Sequence, residues 1–499
     1  MTSRDSELPS ADRSRPDAPP TIASRGKPIC VDLDGTLIRT DVLVEGFLSI
    51  ISKRGNIGKL PQLLTLNRAA LKQRVGALSS MAPELLPYNE ELIEYLRAQK
   101  DAGRMIVLAT AADGKTARAI ADHVGLFDEV IASDGSRNLK GEVKAAELVR
   151  RFGLKGFDYA GNDGADVAVW RKADGIIIAN ASHAVATQAR SLGNVVAEMC
   201  NRSSVLIAAL RGLRPHQWTK NLLVFVPLLT SRYVSDLPGL MAAFLMFASF
   251  CATASSIYLF NDLMDLAADR RHPRKRYRPF ASATLPILLG VVLAVVLFVG
   301  GFVLALLAGA AYWIVAYLVT SLAYSLVLKQ FPLLDVFLLA ALYTLRIVAG
   351  GVATGHHVTL WLLAFSGFTF LSLALVKRVG EIVPTPQSNL NPAITRRGYV
   401  PEDRPILMIF GVASAVASAV VLALFIGTSA AFQPYQSPEM LWGLIPLILF
   451  WQMRLWLSTN RGYMHDDPIV FASRDWVSWL VAIGAVASVL LASFAPRLW

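Results

Sequence analysis

Nine apolar stretches run through the second part of this chain, near 218–234, 238–260, 284–303, 305–327, 333–353, 358–376, 405–427, 439–457 and 476–495. Each approaches the roughly 20 residues that a helix needs to cross the hydrocarbon core of a bilayer. Lipid offers no hydrogen bonds, so such segments must satisfy their own backbone groups, which leaves helices as the solution. Residues 201–499 are therefore expected to form an all-α polytopic membrane domain of about nine transmembrane helices. The third and fourth stretches are divided only at Gly300-Gly301 or Gly309. With 54% hydrophobic and 17% charged residues, the chain is too apolar for an ordinary soluble protein.

Charge is unevenly placed. Residues 1–200 hold 26 Lys and Arg against 25 Asp and Glu, whereas residues 201–499 hold 22 against 12, so nearly all of the net +11 sits in the apolar part. That placement fits membrane topology or anionic ligands. It speaks against nucleic acid, which would want a basic face on the soluble half. Lys and Arg gather in the breaks after the second, fourth, sixth and eighth stretches, at Arg270–Arg278, Lys329, Lys377–Arg404 and Arg454–Arg474, while the other breaks carry little beyond Arg232. These breaks and the N-terminal half are thus expected in the cytoplasm, at an inner membrane, with the C-terminus outside. Cys30, Cys200 and Cys251 are too few and too scattered for a disulfide framework or a zinc site. Residues 1–26 lack the apolar core of a secretory signal and read as a disordered tail.

One break carries chemistry. Residues 261–279 read NDLMDLAADRRHPRKRYRP, and Asn261, Asp262, Asp265 and Asp269 recur along one helical stripe. Carboxylates at a membrane helix end are costly unless compensated. Grouped this way they suit hard cations such as Mg²⁺, which in turn hold phosphate oxygens. The basic run Arg270–Arg278 adds charge for the same anion. The segment predicts a metal–diphosphate site at a membrane surface. Arg346, inside a predicted span, calls for a paired or ligand-binding role, with Asp335 as candidate partner.

The N-terminal half alternates short apolar runs with amphipathic stretches. Strands are expected at 28–34, 104–110, 128–132, 157–161 and 174–179, and helices at 89–101, 114–124 and 142–152. This alternation implies an α/β domain over 27–200 with a Rossmann-type parallel sheet, whose chemistry gathers at the carboxyl ends of the strands. Asp32, Asp34, Thr110, Asn162, Asp163 and Asp166 fall at such ends, and Lys140 and Lys144 precede or open a helix. Residues 41–88 are expected to form a small helical cap.

DLDGT at 32–36, Thr110, a lysine and GNDGAD at 161–166 resemble, in order, the four motifs of haloacid-dehalogenase-like (HAD) phosphatases. The resemblance covers about residues 27–195. It implies that Asp32 attacks phosphorus, and that Asp34 protonates the leaving oxygen and then activates water. Thr110 and a lysine would hold the phosphoryl group, and Mg²⁺ would offset its charge. Lys144 is preferred to Lys140 because it opens the KAAELVRRF helix. Motif four departs from the usual pattern, because Asn162 stands where an acid is common. The metal ligands, beyond Asp32 and Asp34, stay open between Asn162, Asp163 and Asp166.

Residues 205–498 resemble the UbiA superfamily of intramembrane prenyltransferases, through the aspartate-rich loop after the second span and polar residues at cytoplasmic helix ends. LRPHQWTKNLLVFVPLL (213–229), HPRKRYRP (272–279), LLDVFLLAALYTLRIVAGGVATG (333–355) and KRVGEI (377–382) look like the decaprenyl-phosphate phosphoribosyltransferase branch. KRVGEI replaces the second aspartate motif of aromatic prenyltransferases, and DDPIVFASRD (466–475) adds acids in the last cytoplasmic loop. The resemblance implies Mg²⁺-dependent transfer of 5-phosphoribosyl from phosphoribosyl pyrophosphate (PRPP) to a polyprenyl phosphate, as for a cell wall precursor. Asp262, Asp265 and Asp269 would hold the metal. Lys220, Lys275 and Arg278 would clamp phosphate oxygens, and Asn261, Arg346, Lys377 and Arg378 join the substrate-binding set. The HAD-like domain would remove the 5-phosphate of the product. The alternative is prenyl transfer from a polyprenyl diphosphate to an aromatic or other acceptor, with Tyr324, Tyr343 and Trp361 as cation-stabilising rings and the HAD-like domain separate or inactive. Membrane lipids are the expected surroundings, and oligomerisation stays open.

Overall fold

The computed structural model describes residues 26–52, 58, 62, 68–79, 81–134, 137–199, 204–230, 236–382, 398–428, 435–464 and 467–495. The tail expected over 1–26 therefore lies, except for Gly26, outside the described residues. The chain splits into two compact units, Met1–Arg202 and Ser203–Trp499.

The first unit is built on six parallel strands: β1 (Ile29–Val31), β2 (Ile106–Asp113), β3 (Glu129–Ser133), β4 (Asp158–Gly161), β5 (Gly175–Ala179) and β6 (Asn194–Met199). Their spatial order is β3-β2-β1-β4-β5-β6, with every pairing parallel. β1 and β5 are wholly buried. Strands covered on both faces read as continuous apolar runs, which is why they are visible in the sequence. β6 lies beyond the five expected strands. It is an edge strand whose burial alternates, and NVVAEM gives no such run. Helices α3 (Glu90–Asp101), α4 (Gly114–Val124), α5 (Glu142–Phe152), α6 (Val167–Trp170) and α7 (His183–Leu192) connect the strands. The expected cap region holds α1 (Val42–Ile51) and α2 (Arg68–Leu78), joined through Ile50 and Val75 with Phe47 and Leu71 packed against them. The chain leaves β1 for β2 on one side and reaches β4 on the other. The carboxyl ends of β1 and β4 thus flank a topological switch point, where such sheets bind ligands.

The second unit is helical. Among the described residues, seven helices are long and apolar enough to cross a membrane: α10 (Leu237–Met264), α12 (Ile287–Leu307), α14 (Leu334–Thr354), α15 (Leu360–Glu381), and the helices within Pro401–Ile426, Pro438–Asn460 and Trp476–Phe494. α13 (Ala311–Leu326) is apolar but has 16 residues. The boundary between α12 and α13 falls at Gly309, whose φ of +69° suits glycine, and not at Gly300-Gly301. The first expected span differs most. After α8 (Val205–Leu213), residues Pro215–Phe225 form a 3₁₀ segment, followed by α9 (Val226–Thr230). A side chain at Gly350 would strike the backbone of Val224, so this segment presses directly on α14. Leu288 (65% exposed) and Val292 (58%) on α12 show how much apolar surface the bundle presents to lipid. Inside, hydroxyls join helices: Ser249 donates to Gly301 O at 2.6 Å and Ser256 to Ala294 O at 2.7 Å.

Asp335 and Arg378 form a buried ion contact across α14 and α15, with Asp335 Oδ2 2.5 Å from Arg378 Nη2. The contact is close but not aligned as a hydrogen bond. Glu381 takes the other side of the guanidinium, and Tyr399 donates to Asp335. Asp335 is thus the partner of Arg378, not of Arg346. Arg378 is 1% exposed and engaged on both sides. Asp335→Asn should lower unfolding stability by about 3–5 kcal/mol, because it strands a buried charge. The double change Asp335→Leu/Arg378→Met should recover most of the loss. Thermal melts of purified protein in one detergent check both.

Candidate functional site

The α/β unit gathers its polar residues at the switch point. Lys144, in the first turn of α5, donates to Asp32 Oδ1 at 2.6 Å and to Tyr159 Oη at 2.9 Å. Tyr159, on β4, donates to Asp166 Oδ1 at 2.8 Å. Asp166 Oδ2 accepts the backbone amides of Asn162 (2.9 Å) and Asp163 (3.0 Å). Both Asp166 oxygens therefore hold the loop after β4. Thr36 donates to Asn162 Oδ1 at 3.1 Å. Gly35 has φ of +77°, and a side chain there would strike Asn162. DLDGT thus needs glycine both for its turn and for this close approach. Asp34 Oδ1 accepts from the Val42 amide at 2.8 Å, at the start of the cap. Thr110 is fully buried on β2, its hydroxyl accepting from Ala112 N at 2.9 Å. Asp163 is exposed and caps its own turn through Gly164 N. Lys144 lies on Asp32, whereas Lys140 is exposed.

Burial pushes both catalytic candidates up. Asp32 rises to about 6, with Lys144 opposing and Asp166 adding to the rise. Asp34 rises to about 7, through burial and the charges of Asp41 and Asp32. A divalent cation beside Asp32 would return that acid to the charged form.

The membrane unit has two polar clusters. The first sits at the end of α10. Asp262 Oδ1 accepts from Arg214 Nη2 at 2.6 Å and Arg278 Nη1 at 3.1 Å, and the same Arg278 nitrogen lies 2.7 Å from Asp269 Oδ2. Asp262 and Asp269 are 4% and 3% exposed. Arg214 stands between α8 and the 3₁₀ segment with φ of +54°, strain of the kind found at functional sites, and its guanidinium lies 5.2 Å from the Tyr258 ring. Asn261 donates to Ser325 at 3.3 Å. Asp265 stands at the junction of α10 and α11 (Leu266–Arg271). Lys275 is exposed, and its backbone amide donates to His272 Nδ1.

The second cluster centres on Asp467, which the sequence reading noted only as a loop acid. Asp467 Oδ2 accepts from Lys220 at 2.7 Å and Lys377 at 3.4 Å, and Tyr343 Oη lies 3.0 Å away. Burial alone would raise this carboxyl, but Lys220 and Lys377 reverse the shift and hold it below the usual carboxylate range. Behind it, Arg346 donates to Asn221 Oδ1 at 2.8 Å and is ringed by Tyr317, Phe250 and Tyr343 at 4.9, 5.5 and 5.9 Å.

Among the described residues, no three acidic, His or Cys side chains converge as a complete metal cage. Mg²⁺ does not require one, because it is commonly held by one or two carboxylates together with substrate phosphates and water. Asp262 and Asp269 fit that mode. The Arg278 guanidinium bridges their facing oxygens.

A bundle of long apolar helices, with buried carboxylates, lysines and arginines facing one another, defines a multi-pass membrane protein. The membrane unit carries a domain of the UbiA prenyltransferase family, matched over residues 223–464. It is similar to the uncharacterized protein y4nM of Sinorhizobium fredii, with 38% identity over 468 residues, covering 92% of this chain and 89% of that one. That length exceeds the membrane unit, so the similarity takes in the α/β unit as well. The nodulation protein NoeC of Azorhizobium caulinodans is 38% identical over 274 residues, 54% of this chain and 88% of its own. A decaprenyl-phosphate phosphoribosyltransferase of Corynebacterium glutamicum is 36% identical over 180 residues, 35% of this chain and 54% of that protein. The chain thus spans about half of that enzyme's length. The membrane unit is a transferase unit of the UbiA type.

Proposed function

We propose that the membrane unit moves a 5-phosphoribosyl group from PRPP to a polyprenyl phosphate, and that the α/β unit then removes the 5-phosphate of the product. The observation that carries the first half is the single Arg278 nitrogen set between Asp262 and Asp269, with Arg214 on the same carboxylate. These groups bind a diphosphate from both sides. Asp262 and Asp269 would hold Mg²⁺, and the guanidiniums take phosphate oxygens. Such an ion would supply positive charge to the departing diphosphate. The C1–O bond to diphosphate breaks as a phosphate oxygen of the lipid attacks the opposite face of the ribose. That acceptor is already an anion, so no strong base is needed. Lys220 and Lys377, held on Asp467, supply further cations for phosphate. The partial similarity to a decaprenyl-phosphate phosphoribosyltransferase supports the donor.

Prenyl transfer would want open aromatic faces around a carbocation. Tyr343 already lies beside Arg346 and Lys220, and Trp361 packs on Phe425. In the α/β unit, Asp32 attacks the phosphomonoester and Asp34 gives its proton to the leaving oxygen. Water then releases phosphate, with Asp34 taking a proton. Lys144, Thr110 and a Mg²⁺ held by Asp32 would balance the phosphoryl charge, while Asp34 keeps the proton it gives up. Both sites are assigned to the cytoplasmic side of an inner membrane, from the basic breaks. Protein in nanodiscs with Mg²⁺ and polyprenyl phosphate should consume labelled PRPP and yield a labelled lipid. Consumption of a labelled prenyl diphosphate in its place would overturn the donor assignment.

A further inference from the structure

The cleft beside Asp34 contains a cation for which the hydrolytic steps have no use. Asp34, Asp41, Val42, Met81 and Asp113 wall this cleft together with Lys72 of cap helix α2. Lys72 reaches across to the core, donating to Ala111 O at 2.7 Å and to Asn138 Oδ1 at 3.3 Å. Both acceptors are neutral. Burial draws the amine's pKa down, and Asp34 and Asp41 draw it back up from a distance. A half-buried ammonium held only by neutral oxygens is costly, and an anionic ligand relieves that cost.

Its place identifies the ligand's part. Asp34 protonates the leaving oxygen, so a group beside Asp34 in the cleft meets the leaving alcohol. The transferring phosphoryl group is served by Lys144 on Asp32. We propose that Lys72 makes this unit selective for phosphate monoesters whose leaving alcohol carries a second anionic group, such as a phosphate on the far side of the same sugar. The inference rests on the phosphatase reading of the α/β unit and narrows its substrate class. The 5-phosphoribosyl lipid meets the requirement, because its sugar bears a phosphodiester at C1. Lys72 enters no bond change: the P–O bond to the alcohol breaks, Asp32 holds the phosphoryl until water takes it, and Asp34 carries the proton.

Ribose 5-phosphate and ribose 1,5-bisphosphate differ only in the C1 anion and make the matched probe. The full-length protein should hydrolyse the 5-phosphate of the bisphosphate with kcat/KM at least about tenfold higher, roughly the worth of one charge-assisted contact. Lys72→Met should erase this preference through KM and leave kcat on ribose 5-phosphate within about twofold, while Lys72→Arg should retain it. Equal treatment of the two sugars by the unaltered protein overturns the proposal. So does a Lys72→Met variant that loses both activities in proportion, which marks the lysine as a cap latch alone. Should neither sugar be hydrolysed, the phosphatase reading fails, and binding to Asp32→Asn protein decides the inference separately. Tighter binding of the bisphosphate that vanishes with Lys72→Met sustains it, and equal binding ends it.

Discussion

Replacing Asp262 with asparagine should lower Mg²⁺-dependent lipid transfer by about 10²–10³-fold in kcat/KM for the donor, the scale of losing one preorganised charge at a reacting centre. The physical case is local. Asp262 is nearly enclosed, and its Oδ1 is the shared acceptor of Arg214 and Arg278. Asparagine keeps the volume and one acceptor oxygen but removes the charge that would hold the metal and organise both guanidiniums. Arg214 then loses its carboxylate, while Arg278 keeps only Asp269. The lipid acceptor does not depend on this carboxylate, so its KM should change far less than that of the donor. Steady-state kinetics in nanodiscs with each substrate varied in turn measure the split. A loss smaller than threefold, or one confined to the acceptor KM, would place the diphosphate elsewhere.

The legible parts of the molecule are those where one physical constraint dominates a run of residues. Hydrocarbon thickness fixes the length of a spanning helix, so most of the apolar stretches after residue 236 coincide with long helices. The described part of the first stretch, 218–230, escapes the rule: Pro227 has no amide to donate, and Lys220 and Asn221 turn into the protein. Strands buried on both faces are legible as runs such as ICV and GIIIA, while the half-exposed edge strand NVVAEM is not. The acidic stripe at 261–269 is legible because helical spacing is local. The partners of its acids are less so: Arg278 follows within the same loop, but Arg214 comes 48 residues earlier.

Distance along the chain hides the rest. Asp467 meets Lys220 across 247 residues, and Arg346 meets Asn221 across 125. No periodicity reports contacts of that span, so the nearby Asp335 is the natural guess for Arg346, whereas the fold gives it to Arg378. The lysine of the α/β unit is the opposite case. Its helix position distinguishes Lys144 from Lys140, because a residue in the first turn of α5 points back toward the strand ends where Asp32 lies.

Asp32→Asn tests the coupling of the two chemistries, and its effect should be the larger. Removing a nucleophile that forms a covalent intermediate costs on the order of 10⁴-fold or more in turnover. The amide retains the shape of the site but cannot attack phosphorus. Lys144 would lose its 2.6 Å carboxylate contact and keep Tyr159. The transfer step uses none of these residues, so incubation with PRPP, polyprenyl phosphate and Mg²⁺ should build up a lipid that still carries the 5-phosphate. The unaltered protein should instead release inorganic phosphate and leave polyprenyl phosphoribose. Tethering both units on one chain raises the local concentration of the intermediate at the second site, so little of it should appear free with the unaltered protein. Mass analysis of the lipid fraction distinguishes the two products by one phosphate. Identical lipids from both proteins would mean that the α/β unit acts on some other monoester, and the proposed sequence of reactions would fail even if phosphoribosyl transfer stood.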